Sequence, residues 1–491
     1  MNKQQMAQPV EPLISLRKYT RLAPCLTLTG RNRTLRLGAY KTFWGSFRML
    51  GSGDATRLAA AFFTVSLLGA AIAWPQAGMR VAKSAEALAA RADGAPMATR
   101  ACAIGEPALS GPFAALDDVL SVSPLGGVTA PGEALPAPYI RINMRSGDKS
   151  FDRRATNALA PARADIVAIE RHTLRDPYGR ATGPSWTVHF RSCDRMSFYY
   201  DRLDQIDSSI LERAGGLRAF TEFGTPDHMA IEARIRVNTG DVIGTSDGFD
   251  VGLHDLGATP APMARPERYR SNAFARADVF DAAPSLVAAI TPDTTRARCA
   301  IDYLPKPAQA EWAAKLGDSW GIRRAKGDNA CRTALVDTPD AAQGAWFTDS
   351  AHNAATTKVS AIALSPDAID PERLIFALHG RLTSLTSDLI SAPKFIGGEN
   401  KPAPKEFLSF TQGDGRINTP FAKVTDSGVH CYQNLRVDFI GPLINGVILL
   451  QREESDDGVD LLKIEANGSV SSCIDLKEPW SFTGNETTFY R

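Results

Sequence analysis

Net charge, histidine and metal-type cysteine spacing are what this chain has least of. Lysine and arginine total 55 against 54 aspartates and glutamates in 491 residues, so no field of one sign steers it to nucleic acid or anionic lipid. The seven histidines are His172, His189, His228, His254, His352, His379 and His430, and none forms H-x-H or H-E-x-x-H. That excludes the short-range zinc motifs. No C-x-x-C occurs among the seven cysteines, which removes a dithiol redox motif and a cysteine zinc site. A Walker loop and a dinucleotide fingerprint are also missing, so nucleotide-dependent chemistry of those kinds is not expected. No cofactor and no nucleic-acid partner follow from this composition.

With 44% hydrophobic and 22% charged residues, the chain reads as globular rather than disordered. Gly 39 and Pro 31 fit many short strands and turns better than long helical bundles.

One apolar run stands out. Leu58 to Trp74 carries no charge, follows Arg57, and ends in Ala71-Ile72-Ala73. A basic flank, an apolar core and an A-x-A end make a secretory signal. At about 1.5 Å per residue the run reaches roughly 25 Å, short of a ~30 Å bilayer core, so cleavage and retention as a single membrane anchor both stay open. Residues 1–56 are basic, with Glu11 the only acid before Met49. Either translation starts at Met49 or the segment is a cytoplasmic tail obeying the positive-inside rule. Segment 57–77 is then signal or anchor, and 78–101 an Ala-rich tether.

The cysteines agree with export to an oxidising periplasmic, cell-surface or extracellular space. Only Cys25 precedes the apolar run, and six follow it, most simply as three disulfides. Spacing pairs Cys431 with Cys473, Cys299 with Cys331, and Cys102 with Cys193.

Downstream, period-two alternation predicts strands at Tyr139–Asn143, Trp186–Phe190 and Ile231–Val237, with a β-branched run at Ile166–Glu170. Helices are expected over Asp204–Ala214 and, after a proline start, over Pro307–Leu316. Further strands are read at 359–364 and 374–379, and in the tail at 436–440, 446–451 and 460–465. The expected architecture is mainly β: a domain over 102–395 with an appended α/β segment, then a small antiparallel β sandwich or barrel over 396–491.

Three segments recur in a familiar order: Pro124–Arg141 (PLGGVTAPGEALPAPYIR), Phe190–Leu203 (FRSCDRMSFYYDRL) and Val237–Asp255 (VNTGDVIGTSDGFDVGLHD). Together they resemble the duplicated hybrid motif of M23, lysostaphin-like peptidases, most specifically in Val237-Asn-Thr-Gly-Asp-Val-Ile-Gly. A narrower likeness, to uncharacterised secreted bacterial proteins with a degenerate form of that domain, extends through Cys299-Ala-Ile-Asp-Tyr-Leu-Pro and Asp337–Phe347. Family enzymes hold zinc with a histidine, an aspartate and the second histidine of an H-x-H. By this resemblance the first histidine position is Glu133, the aspartate position Ala137 or Pro138, and the H-x-H is replaced by Asp250-Val251-Gly252. Arg202 stands where a catalytic histidine would precede the glycine turn. Two oxygen ligands cannot make the three-ligand site that zinc hydrolysis uses. The resemblance therefore implies a scaffold without its metal and without a catalytic residue, whose old groove, lined by Glu133, Arg202, Asp250 and His254, binds peptidoglycan, a polysaccharide or an envelope protein. Two other classes stay open: a cell-wall or glycan hydrolase with chemistry relocated to Glu133, Asp250 and His254, and a structural component of a surface assembly.

Two further groupings have competing explanations. Asp241, Asp247, Asp250 and Asp255 fit either a calcium or acid/base site, or turn chemistry. Trp346 and Phe347 fit either a stacking platform or core.

Overall fold

The computed structural model describes residues 101–102, 108–127, 137–145, 155–175, 179–266, 286, 289, 294–326, 331, 337–348, 361–379, 407–437, 443–454 and 458–491. The chain divides into compact units Met1–Arg91 and Ala92–Arg491, and every described residue lies in the second. The basic extension, the apolar run over 58–74 and nearly all of the tether are outside the described residues. Among the described residues, no helix is long and apolar enough to cross a membrane.

The fold is mainly β. In the N-terminal half the strands are β1 (Val119–Ser123), β2 (Ile140–Met144), β3 (Thr156–Leu159), β4 (Ala164–Arg175), β5 (Ala181–Cys193) and β6 (Met196–Leu203). They continue with β7 (Gln205–Ile206), β8 (Thr221–Phe223), β9 (Thr225–Val237), β10 (Val242–Ser246), β11 (Gly248–Asp255) and β12 (Ala297–Arg298). The large sheet runs β1-β2-β11-β6-β5-β4-β9-β8, with β12 paired to β11, and β3-β10-β7 form a small second sheet. All these pairings are antiparallel.

Alternation decides which side of the large sheet is dry. Ile140 and Ile142, Val188 and Phe190, Phe198 and Tyr200, and Phe249, Val251 and Leu253 send their side chains into one core. Ala158 of β3 and Ile243 of β10 join them, so the small sheet covers the apolar face of the large one. Helix α1 (Ser208–Arg213) is capped by the Asp207 carboxylate, which accepts from the Ser209 amide at 2.9 Å, and it buries Ile210. Helix α2 (Lys306–Ala313) begins with Pro307 in its first turn and inserts Trp312, whose ring meets Phe113 edge-on at 5.0 Å. The first helix starts later than the expected Asp204, because Gln205 and Ile206 pair with β10 as β7, and the second ends at Ala313 rather than Leu316.

The second half is one antiparallel sheet. Its strands are β13 (Gly344–Phe347), β14 (Ala361–Pro366), β15 (Arg373–His379), β16 (Phe407–Thr411), β17 (His430–Tyr432), β18 (Arg436–Val437), β19 (Val447–Glu454), β20 (Asp460–Asn467) and β21 (Thr487–Tyr490). The order is β17-β19-β20-β21-β13-β14-β15-β16-β18. The two edges, β17 and β18, are neighbours in sequence, so the sheet must curl until one stretch of chain joins both edges. Inside lie Trp346, Phe376, Phe410, Phe421, Tyr432 and Phe489. The expected break at 395/396 does not separate two sheets: β15 pairs with β16 and β13 with β21. Strands 344–379 belong to the C-terminal sheet because their inward residues share its aromatic core.

Three disulfides join Cys102 to Cys193, Cys299 to Cys331 and Cys431 to Cys473, with Cα–Cα distances of 5.1, 5.7 and 6.0 Å. Arg491 closes the C-terminal sheet. Its fully buried guanidinium lies 4.2 Å over the Trp346 ring and pairs with Asp460 at 3.1 Å and Asp337 at 3.3 Å.

Candidate functional site

The other face of the large sheet is polar yet largely buried. Strand pairing aligns Arg141 with Asp250 and Asp250 with Asp201. It likewise aligns Gly252 with Tyr199, and Tyr199 with His189. Further along, Glu170 faces Thr187 and His172 faces His228. Directly paired residues share a face, so β2, β11, β6, β5, β4 and β9 present one continuous polar row.

At one end of the row sits an ion pair. The Arg141 guanidinium donates through Nε to Asp250 Oδ1 at 2.7 Å and through Nη2 to Oδ2 at 3.0 Å, a bidentate fork. Asp250 is 1% exposed. Burial pushes its carboxyl up to about 6, although Arg141 acts in the opposite direction. Arg141 also donates to the Tyr139 hydroxyl at 3.2 Å. Next to the pair, Asp201 accepts from Thr187 Oγ1 at 2.6 Å and from the Arg202 amide at 2.8 Å.

Gly252 is required by its neighbour. A Cβ there would lie 2.0 Å from Cε1 of Tyr199. That ring is not free to swing, because His189 lies 5.7 Å away on one strand and His254 stacks at 5.9 Å on another. Tyr199 therefore fills the volume that any side chain at 252 would need.

Toward the other end, Glu170 is clasped by two imidazoles. Its Oε1 accepts from His189 Nε2 at 2.6 Å and its Oε2 from His228 Nε2 at 2.6 Å. Burial raises the carboxyl, but these two hydrogen bonds outweigh it and hold Glu170 well below the ordinary carboxylate range. His172 stacks on His228 with ring centres 4.1 Å apart, and its Nε2 is 3.9 Å from Glu170 Oε2. Burial lowers the His172 pKa, against the pull of Glu170.

Of the groove residues expected from the sequence, Glu133 lies outside the described residues. Asp250 and Arg202 are within electrostatic reach of each other, but differently placed. Asp250 is buried under Arg141, whereas Arg202 is exposed within β6, at the register shift against β5, with φ 65°, an uncommon conformation for a non-glycine residue. The Arg202 carbonyl accepts from Ser246 Oγ at 3.0 Å. His254 is on the same polar face, 0% exposed. The other aspartates do not converge with Asp250. Asp241 accepts from the Asn238 amide at 2.7 Å and Asp255 from Gly257 at 2.9 Å, which is turn chemistry. Trp346 and Phe347 are core, 0% and 1% exposed.

No protein-family model, curated protein or solved structure matches the chain. The peptidase likeness therefore rests on the sequence segments alone, and functional argument returns to the polar row.

Sequence reading passed over Arg141, Tyr199, Glu170, His172 and His228. One signal was present: Glu170-Arg171-His172 spaces two ligand-type side chains by two, which on a strand puts them on one face. Their partners His189 and His228 sit 19 and 58 positions from Glu170, beyond any local motif.

Proposed function

We propose that this chain is a non-catalytic binding protein of the cell envelope or extracellular space, built on a scaffold resembling M23 peptidases that has lost its zinc ligands. Its partner class is peptidoglycan, a polysaccharide or an envelope protein. The observation that carries the reading is the Arg141–Asp250 pair. At the position the resemblance gives to the first H-x-H histidine stands a carboxylate already neutralised by a guanidinium. A zinc ion there would face a fixed positive charge and find no free carboxylate oxygen pair. Two residues on, the position of the second histidine is Gly252, and the Tyr199 ring takes its space. Both features work against a metal-activated water at this place. Burial of Asp250 and His254 works equally against their use on an external substrate. Three disulfides and the A-x-A-terminated apolar run support export.

The test is wall hydrolysis by the purified full-length chain with added Zn²⁺, beside a sedimentation assay with isolated peptidoglycan sacculi. Co-sedimentation without release of soluble fragments is expected. Chelator-sensitive clearing of walls by the wild-type chain would defeat the non-catalytic reading, and its loss in Asp250→Asn would assign the chemistry to this pair.

A further inference from the structure

We propose that Glu170, His172 and His228 form a site for one divalent transition-metal ion, zinc being the best match to the donors. The site stands on β4 and β9, away from β2 and β11, so it is independent of the peptidase likeness and of any zinc once held there.

Geometry argues for it first. Glu170 and His172 are two apart on one strand, and His228 is directly opposite His172 on the next. The stacked imidazoles aim their Nε2 atoms at the same carboxylate oxygen, at 2.6 Å and 3.9 Å. The three ligand atoms lie within 4.8 Å of one another. A tetrahedral zinc with bonds of about 2.0–2.2 Å spaces its ligands roughly 3.3–3.5 Å apart. The observed distances straddle that value, so small rotations of two rings and one carboxylate would complete the triangle.

Donor chemistry argues next. Two imidazole nitrogens with one carboxylate oxygen suit zinc and its neighbours better than calcium or magnesium, which take oxygen shells. Glu170 Oε1 is bound by His189 at 2.6 Å, the kind of outer partner that fixes a ligating carboxylate and leaves its second oxygen for the ion. Phe223 sets its ring against His228 at 5.1 Å. Ala168, Ala230 and Leu286 pack together beside the site. An apolar surround of this kind limits the water that competes for an ion. Access remains from one side, since the side chains of His172 and His228 are 38% and 22% exposed. The fourth coordination position therefore faces solvent, as in sites that hold a water or an exchangeable ligand. Among the described residues, the other grouping of potential ligands is Cys102, Cys193 and Asp194, and its cysteines are consumed by a disulfide.

The experiment uses the untagged full-length chain, stripped with chelator and titrated calorimetrically with zinc alone. Cobalt substitution is followed by visible absorption, and circular dichroism checks the fold of each variant. One zinc per chain and a tetrahedral cobalt spectrum are expected. His189→Ala should weaken zinc binding by about 10–100-fold as an outer partner, and His172→Ala and His228→Ala should each weaken it more. Absence of zinc binding by the folded wild-type chain would overturn the site, as would undiminished binding by His172→Ala. His172 is the most exposed of the three, so that variant decides the matter even if His228→Ala fails to fold.

Discussion

Replacing Arg141 by methionine keeps most of the apolar stem and removes the charge that Asp250 depends on. Asp250 is 1% exposed, and each of its carboxylate oxygens accepts a hydrogen bond from that guanidinium. Breaking a buried pair from one side costs about 3–5 kcal/mol, since the other charge is left uncompensated. Near neutral pH this corresponds to roughly a hundredfold to a few thousandfold faster hydrogen exchange in strands β2 and β11. The assay is exchange mass spectrometry on peptides covering 140–144 and 248–255, because a whole-chain melt would merge this sheet with the C-terminal one. The cost should shrink on acidification, because a protonated Asp250 no longer needs a cation. The sign in the wild-type protein is the same. With the folded pKa at about 6, above an unfolded value near 3.9, the group's stabilisation is complete below pH ~4 and is lost as pH rises through ~6, a change of roughly 3 kcal/mol. Pairing Arg141→Met with Asp250→Asn should restore much of the loss and flatten that pH dependence. If Arg141→Met alone costs under about 1 kcal/mol at pH 7.5, where a buried pair should cost several times that, the account of this ion pair is wrong.

Two other substitutions probe the same packing logic. Gly252→Ala should destabilise by about 1–3 kcal/mol through overpacking against Tyr199, and an unchanged thermal midpoint would show that the ring can move aside. Arg491→Ala should cost the C-terminal sheet about 3–5 kcal/mol by removing the guanidinium that faces Asp337, itself 1% exposed; urea unfolding followed by exchange at peptides covering 344–347 and 487–490 reads it, with protection unchanged if the guanidinium is dispensable.

The strands were legible because their alternation is strict: Ile140, Ile142 and Met144 on one side, Arg141 and Asn143 on the other, leave little choice of face. The cysteine pairing read from spacing matches the three bridges, the shortest two closing loops of 32 and 42 residues. The division of the C-terminal half was not. Nothing local in Gly344–Phe347 tells that its partner β21 comes from the far end of the chain. The polar row was hidden in the same way. Its members were each visible as single histidines or acids, but what makes them a site is the register across six strands. His189 falls inside the expected strand Trp186–Phe190, and its significance lies in the carboxylate that β4 delivers to it.

Arg491 also bears on when the protein can become itself. Its contact with Asp337 spans 154 positions, and β13 shares an edge with β21. A ribosome that has finished the first of these strands has made only one side of the closing seam, and long-range pairings of this kind form slowly. For a chain exported as proposed, that delay is useful: the C-terminal sheet stays unclosed, and so threadable, until its last residues have emerged.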